Sequence, residues 1–311
     1  MRKYNKTTQN ANISAKQTHS ANLNTNQPHN ANPTPSATPS KNSTHKNTAN
    51  PTQNRDINRY AQDYIHSDND FESVMVHFRR QKVLEILHHY KPKSILEIGC
   101  GVASIFDFYV DYERFVVVEP SELFCDSIAK SKHYNPKVTI IKDFLENQLS
   151  TLSNQNFDFI ILSSLLHEVQ SPLEFLRIVA KLCAKNTILH INVPNNKSFH
   201  LLWAYESGLI HHIGELTSTA LKMQQHSAFD KDSLARIVTK SGFEILSDEI
   251  SMGGGSYFMK PFNHAKMTEL MKVGIIDENL LNGLNKLAKY FPNNGAEIFV
   301  NCKIAKNKVA Q

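Results

Sequence analysis

The stretch Ser94–Ser104, SILEIGCGVAS, decides the fold. An Ile- and Leu-rich run enters a turn at Gly99 and Gly101, the pattern of a buried strand ending in a backbone loop that can approach a ligand closely. A nucleotide-binding fingerprint places a third glycine farther on. Here Ala103 and Ser104 stand at the two possible places for it. The motif alone therefore leaves its ligand open.

Similar short runs recur downstream: FVVVE (115–119), KVTII (137–141), FDFIIL (157–162), TILHINV (187–193) and AEIFVNCKI (296–304). The first five, counting SILEI, alternate with helix-like segments such as SELFCDSIAKS (121–131) and PLEFLRIVAKLC (172–183). Strands alternating with helices imply crossover connections and a doubly wound α/β sheet, mostly parallel, with helices on both faces. Residues 70–90 carry Val74, Phe78, Val83, Ile86 and Leu87 at helical spacing and read as an amphipathic helix ending before Pro92. The unit 230–250 reads as a helix capped by Asp230 or Asp232, stopped by Gly242 and followed by a strand. Two inserts, near 194–230 and 251–294, interrupt the alternation, and both are expected to be largely helical covers over the strand ends.

The acids around the turn narrow the ligand. A doubly negative pyrophosphate would be repelled by Glu97, two residues before Gly99, whereas a ligand carrying an ammonium and a sulfonium would be attracted by it. Glu119 ends the second strand twenty residues after Gly99, where an acid accepts hydrogen bonds from ribose hydroxyls. Asp143 follows the third strand and can take an adenine amino group, with Phe144 as an apolar wall. Together these favour an adenosine compound without phosphate.

With these features the sequence resembles the class I S-adenosylmethionine-dependent methyltransferases: LEIGCG as the first motif, VVVEP (116–120) as the second, KDF (142–144) as the third and FDFIILSSLLHEV (157–169) as the fourth. The resemblance spans roughly 91–193. It implies a Rossmann-like, seven-stranded sheet with an antiparallel last strand, and S-adenosyl-L-methionine as cofactor. It also implies cofactor contacts from Glu97, Gly99, Cys100 and Gly101 to the methionine part, Glu119 to the ribose, Asp143 and Phe144 to the adenine, and the backbone edge of Ser163 near the methyl group, with Pro120 a further cofactor-binding residue. A ligand without phosphate makes Ala103 intelligible, since the demand for close phosphate approach is gone.

Methyl transfer from a sulfonium is an in-line displacement, so an enzyme acting on a hydroxyl must align it and remove its proton. His167, just past the fourth strand, is the candidate base, and packing beside the cofactor is the competing role; Glu168 is read as a solvated neighbour. HEVQ lacks the second His of a zinc-protease motif. SSLLHE also lacks the proline pair or Pro-Cys pair of nucleic-acid base methyltransferases, which favours a small-molecule acceptor. NVPNNKSFHLLWAYESGLI (192–210) and GGGSYFMKPFNHAKM (253–267) resemble a bacterial group associated with surface polysaccharide or secondary metabolism, so O-methylation of a sugar or secondary metabolite is expected. Trp203, Tyr205, His211, His212, His226, Tyr257, Lys260 and Asn263 are candidates to line the acceptor pocket. The alternatives are an RNA or protein methyltransferase and a non-catalytic, cofactor-binding adaptor.

Composition bounds these readings. The chain has 311 residues, 41% hydrophobic and 20% charged, enough for a substantial core. Its formal charge is +5, but seven of its 34 basic residues and none of its 29 acids lie within 1–55, which leaves 27 basic against 29 acidic residues beyond. A basic stripe for nucleic acid is thus not indicated in the folded part. Residues 1–55 are rich in Asn, Thr, Ser and Gln, with the loose repeat QTHSAN, QPHNAN, STHKNTAN, and are expected to be a disordered tail ahead of a domain over 56–311. Cys100, Cys125, Cys183 and Cys302 lie far apart, which fits reduced thiols and no metal site. No apolar run suits a membrane span or secretory signal, and a cytoplasmic protein is expected.

Overall fold

Each apolar run becomes a strand of one mixed sheet. The computed structural model describes residues 55–65 and 70–306, so the tail expectation for 1–55 lies, apart from Arg55, outside the described residues. The strands are β1 (Ser94–Ile98), β2 (Arg114–Val118), β3 (Val138–Ile141), β4 (Phe159–Ser163), β5 (Ile188–Pro194), β6 (Phe243–Ile245), β7 (Gly255–Tyr257) and β8 (Glu297–Ile304). Their order is β3-β2-β1-β4-β5-β8-β6, with β7 also paired to β8. β1 to β5 are mutually parallel, while β8 runs antiparallel to β5, β6 and β7. The helices are α1 (Ile57–Ile65), α2 (Asp70–Tyr90), α3 (Glu122–Ala129), α4 (Leu149–Leu152), α5 (Pro172–Ala180), α6 (Phe199–Glu206), α7 (Ser218–Lys222), α8 (Lys231–Lys240), α9 (His264–Lys272) and α10 (Glu278–Leu287). None of the described helices is long and apolar enough to cross a membrane.

The strands are apolar at nearly every position because both faces of the sheet are covered. Leu96, Ile98, Val116, Val118, Ile160 and Leu162 face Phe175, Leu176 and Val179 of α5 and Leu234 and Val238 of α8. Ile95, Phe115, Val117, Phe159 and Ile161 belong to the opposite core with Phe78, Val83, Ile86 and Leu87 of α2. The alternation places Glu97 on the α2 side, between Val117 and Ile161 of the neighbouring strands. That position explains its burial: a carboxylate occupies one place in an otherwise apolar row.

Several local expectations resolve in detail. α2 ends at Tyr90, and its buried stripe is Phe71, Met75, Phe78, Val83, Ile86 and Leu87, with Val74 only half-buried. Asp230, not Asp232, caps α8, accepting the Ser233 N–H at 2.7 Å within a reciprocal capping box. The first insert contributes α6 and α7, and the second contributes α9, α10 and an additional strand, β7. This eighth strand is three residues long and has no apolar alternation to read from sequence. Gly295 makes it possible, since a Cβ there would lie 2.4 Å from the Tyr257 carbonyl oxygen.

The strand order reverses between β1 and β4, and a crevice opens at their carboxyl ends, the place where doubly wound sheets bind ligands. The turn after β1 opens no α-helix. It passes into a single 3₁₀ turn, Ile105–Asp107, before β2. The helix N-terminus that would face a pyrophosphate in a dinucleotide fold is therefore missing at this position.

Candidate active site

Gly99 and Gly101 both have positive φ, 72° and 62°, which lets the chain leave β1 and expose its backbone to the crevice. The Gly99 N–H donates to the Val118 carbonyl at 2.9 Å, and a Cβ at Gly101 would meet nothing within 4 Å. Beneath the turn, Glu97 is 3% exposed. Its Oε2 accepts from the Ser104 hydroxyl and, at 3.1 Å, from the Ile105 N–H. Ser104, standing at one place for the missing glycine, is thus the brace of Glu97. Burial pushes the Glu97 carboxyl up to about 7, against the lowering by these hydrogen bonds.

Glu119, at the end of β2, couples two strand ends. One carboxylate oxygen accepts the Ser121 N–H at 2.8 Å and the other the Gly101 N–H at 3.4 Å. Burial pushes this group to about 7 as well. Neither Glu97 nor Glu119 has an ion pair among the described residues. Asp143, after β3, differs: it accepts from the Phe144 N–H, Asn147 Nδ2 and Gln148 Nε2, each at 2.7 Å. Those side-chain donors hold it below the usual carboxylate range.

A cavity of about 1070 Å³ joins these groups. Gly99, Cys100, Gly101, Glu119, Pro120, Asp143, Phe144, Ser163 and His167 all line it; Glu97 does not, because it lies under the turn with its oxygens engaged. Ser163 is positioned from β5, where Asn192 Nδ2 donates to its hydroxyl at 3.0 Å. His167 is 3% exposed, its Nδ1 has no hydrogen-bond partner, and burial lowers its pKa to about 3. Among the candidates for the acceptor pocket, Lys260 and Asn263 line the cavity, whereas Trp203, Tyr205, His211, His212, His226 and Tyr257 do not. Trp203 and Tyr205 project from α6 to the surface.

The structure also brings in residues that sequence reasoning missed. Glu168 is not a solvated neighbour: it is 6% exposed, accepts from the Tyr60 hydroxyl at 3.0 Å and lies 2.9 Å from Arg55 Nη2. Tyr60 and Tyr64 of α1 pack edge-on against Phe124 of α3 and wall the cavity. From α2, Arg79 Nε donates to both oxygens of Glu297, at 3.0 and 3.1 Å, and its Nη1 lies 3.5 Å from Glu72. The Tyr257 hydroxyl donates to Glu297 too. Glu72 and Arg79 are seven residues apart, two turns on one face of α2, and that spacing was the one signal the sequence offered. His200 and His264 complete this side of the cavity. Among the described residues no group of His, Cys, Asp and Glu is arranged to hold a metal ion.

The chemistry of this wall fits an adenosine compound with positive charge. Glu119, a buried carboxylate without an ion pair among the described residues, borders the turn with Glu97 beneath it, open backbone lies at Gly101, and a carboxylate stands beside an aromatic ring at Asp143 and Phe144.

A family model described as a methyltransferase domain matches residues 75–248. A SAM-dependent methyltransferase from Thermotoga maritima, described as a possible histamine N-methyltransferase, superposes with a TM-score of 0.53 at 17% identity, covering 80% of this chain and 99% of that one. The N-methyltransferase NodS from Bradyrhizobium japonicum, in complex with S-adenosylhomocysteine, gives 0.48 at 10% identity over 80% and 97% of the two chains. No curated protein matches the chain by sequence. At these identities the structural likeness concerns the fold.

Proposed function

Because the chain belongs to the methyltransferase-domain family and is an S-adenosylmethionine-dependent methyltransferase, we propose that its acceptor is a small molecule, methylated on a hydroxyl such as that of a sugar or secondary metabolite. The supporting observation is the shared cavity. The residues suited to the cofactor and the titratable wall of Glu72, Arg79, His200, Lys260 and His264 line one space of about 1070 Å³. Pockets for single ligands occupy roughly 300–1,000 Å³, so this space suits a cofactor and a small acceptor side by side. The near balance of basic and acidic residues beyond 55 favours the same reading over a nucleic-acid acceptor.

In this reading S-adenosylmethionine supplies a methyl group activated by its sulfonium. Glu119 accepts the ribose hydroxyls, Asp143 the adenine amino group, and Phe144 covers the adenine. The backbone of Gly99, Cys100 and Gly101 holds the methionine part, while Glu97 acts through Ser104 and Ile105 by fixing the turn. Pro120 and Ser163 border the ligand. His167 takes the hydroxyl proton of the acceptor. Burial, with Arg79 and Arg55 nearby, keeps its imidazole neutral at ordinary pH, the form able to accept a proton, and Glu168 Oε1 lies 3.8 Å from its Nε2. α1 and the Arg55–Glu168 pair exclude water over the site.

The test is release of S-adenosylhomocysteine by the purified protein with a cell extract split into small-molecule, RNA and protein fractions. Release with the small-molecule fraction is expected. Release confined to the RNA or protein fraction would transfer the assignment to a macromolecular acceptor, and cofactor binding with no release from any fraction would favour the adaptor role.

A further inference from the structure

Four charges meet where α2, α9 and β8 line the cavity: Arg79, Lys260, Glu72 and Glu297. The two carboxylates are already committed. Glu297 receives Arg79 through paired hydrogen bonds and the Tyr257 hydroxyl, and Glu72 lies against Arg79 as well. Lys260 balances their second charge from a distance and makes no direct contact with either. It is 5% exposed, lines the cavity and has neither a hydrogen bond nor an ion pair among the described residues. An ammonium offers three donors, and on the cavity lining a ligand can supply their acceptors.

Other donors converge on the same place. His264 Nε2 is buried without a hydrogen bond. It lies 3.6 Å from Glu72, but burial lowers its pKa to about 3, so this contact is no ion pair at neutral pH. The Ser198 hydroxyl occupies His200 Nδ1 at 3.0 Å. Asn263 caps α9 by accepting the Lys266 N–H at 2.9 Å, which leaves the N–H groups of His264 and Ala265 without acceptors among the described residues. Asn263, His264 and Ala265 all line the cavity, so the positive end of a nine-residue helix and an unpaired ammonium border one space.

Resting on the reading of a small acceptor in this cavity, we propose that the acceptor carries an anionic group, a carboxylate or a phosphate, bound by Lys260, His264 and the first turn of α9. A cationic amine would meet the Lys260 ammonium there, and a neutral hydroxyl would accept from one of its three donors only, whereas an anionic group can accept from several and from the helix N–H groups together. Burial lowers the Lys260 pKa to about 8, so it remains mostly protonated at pH 7 and an anion would raise it again.

The test titrates protein saturated with S-adenosylhomocysteine with inorganic phosphate and, separately, with benzoate, using potassium chloride of matched ionic strength as the blank and calorimetry as the readout. At least one of the two anions is expected to bind one to one, at least tenfold more weakly in Lys260→Met and within about threefold of the parent in Lys260→Arg. Binding of phosphate alone points to a phosphorylated acceptor, and of benzoate alone to a carboxylate. Should Lys260→Met fail to fold, His264→Gln is measured in its place and is expected to weaken the same anion. Absence of binding by both anions, or equal binding by parent and variants, overturns the proposal. Failure of the small-acceptor reading shows separately, as S-adenosylhomocysteine release with a macromolecular fraction alone.

Discussion

The Tyr60 hydroxyl of α1 donates to Glu168 Oε1 at 3.0 Å, tying α1 to the loop that follows β4. With Arg55 on the other carboxylate oxygen, Glu168 becomes the point at which the start of the described chain closes over the cavity. A hydrogen bond to a charged acceptor contributes roughly 1.5–3 kcal/mol. Tyr60→Phe is therefore expected to weaken S-adenosylhomocysteine binding about tenfold in calorimetry while leaving the circular dichroism spectrum unchanged. A dissociation constant within twofold of the parent would remove α1 from the closure.

Glu119 gives a pH prediction. Burial has moved its pKa to about 7, and the ribose hydroxyls require the ionised form, so affinity for S-adenosylhomocysteine should rise about five- to tenfold from pH 6 to pH 8. Glu119→Gln should flatten that rise, and Glu119→Ala, losing two charge-assisted hydrogen bonds, should bind about 100-fold more weakly.

The same shifts act on stability. Glu97 and Glu119 both titrate higher in the folded chain than the ordinary glutamate value of 4.5, so the folded state binds the extra protons. Their stabilising contribution is complete below about 4.5 and is lost as pH rises through about 7, on the order of 3 kcal/mol for each group. The melting temperature of the unliganded protein should consequently fall between pH 5 and pH 7.5, and S-adenosylhomocysteine should raise it more at pH 8 than at pH 6. An unliganded melting temperature that climbs across this interval contradicts the assignment.

For His167, general-base catalysis contributes typically about 10²–10⁴ in rate. Once an acceptor is in hand, His167→Gln should lower kcat by at least about 100-fold with little change in KM. Because the imidazole titrates near 3, its own ionisation should leave no inflection between pH 5 and 8. Turnover within a few fold of the parent would assign His167 to packing.

Two glycines should respond in opposite ways. A Cβ at Gly295 would lie 2.4 Å from the Tyr257 carbonyl oxygen and 2.6 Å from its nitrogen, both backbone atoms, so Gly295→Ala must push β7 from β8 and should cost about 2–3 kcal/mol by denaturant unfolding. At Gly101 nothing lies within 4 Å, and only the positive φ opposes a side chain, at about 1–2 kcal/mol. Gly101→Ala should therefore lose more in cofactor binding than in stability.

Local patterns in the sequence are enough for the sheet and for the strand ends that border the cavity. Ile- and Val-rich runs ending in glycine or acid fix where strands stop, and strand ends are local features: Gly99, Gly101, Glu119, Asp143 and His167 could be found by spacing because each lies within a few residues of one. They do not determine which way Glu97 faces or what it touches. That depended on the register of β1 between β2 and β4 and on the replacement of a helix by a 3₁₀ turn, which brings Ser104 under the carboxylate. The opposite wall of the cavity likewise exists only through packing. Arg55, Glu72, Arg79, His200, Lys260, His264 and Glu297 come from segments far apart in the chain, and no local period records that α1, α2, α6, α9 and β8 converge on one cavity. Their burial and mutual pairing arise from packing, which sets the carboxylates of Glu72 and Glu297 against Arg79 and leaves Lys260 without a hydrogen bond or ion pair of its own among the described residues.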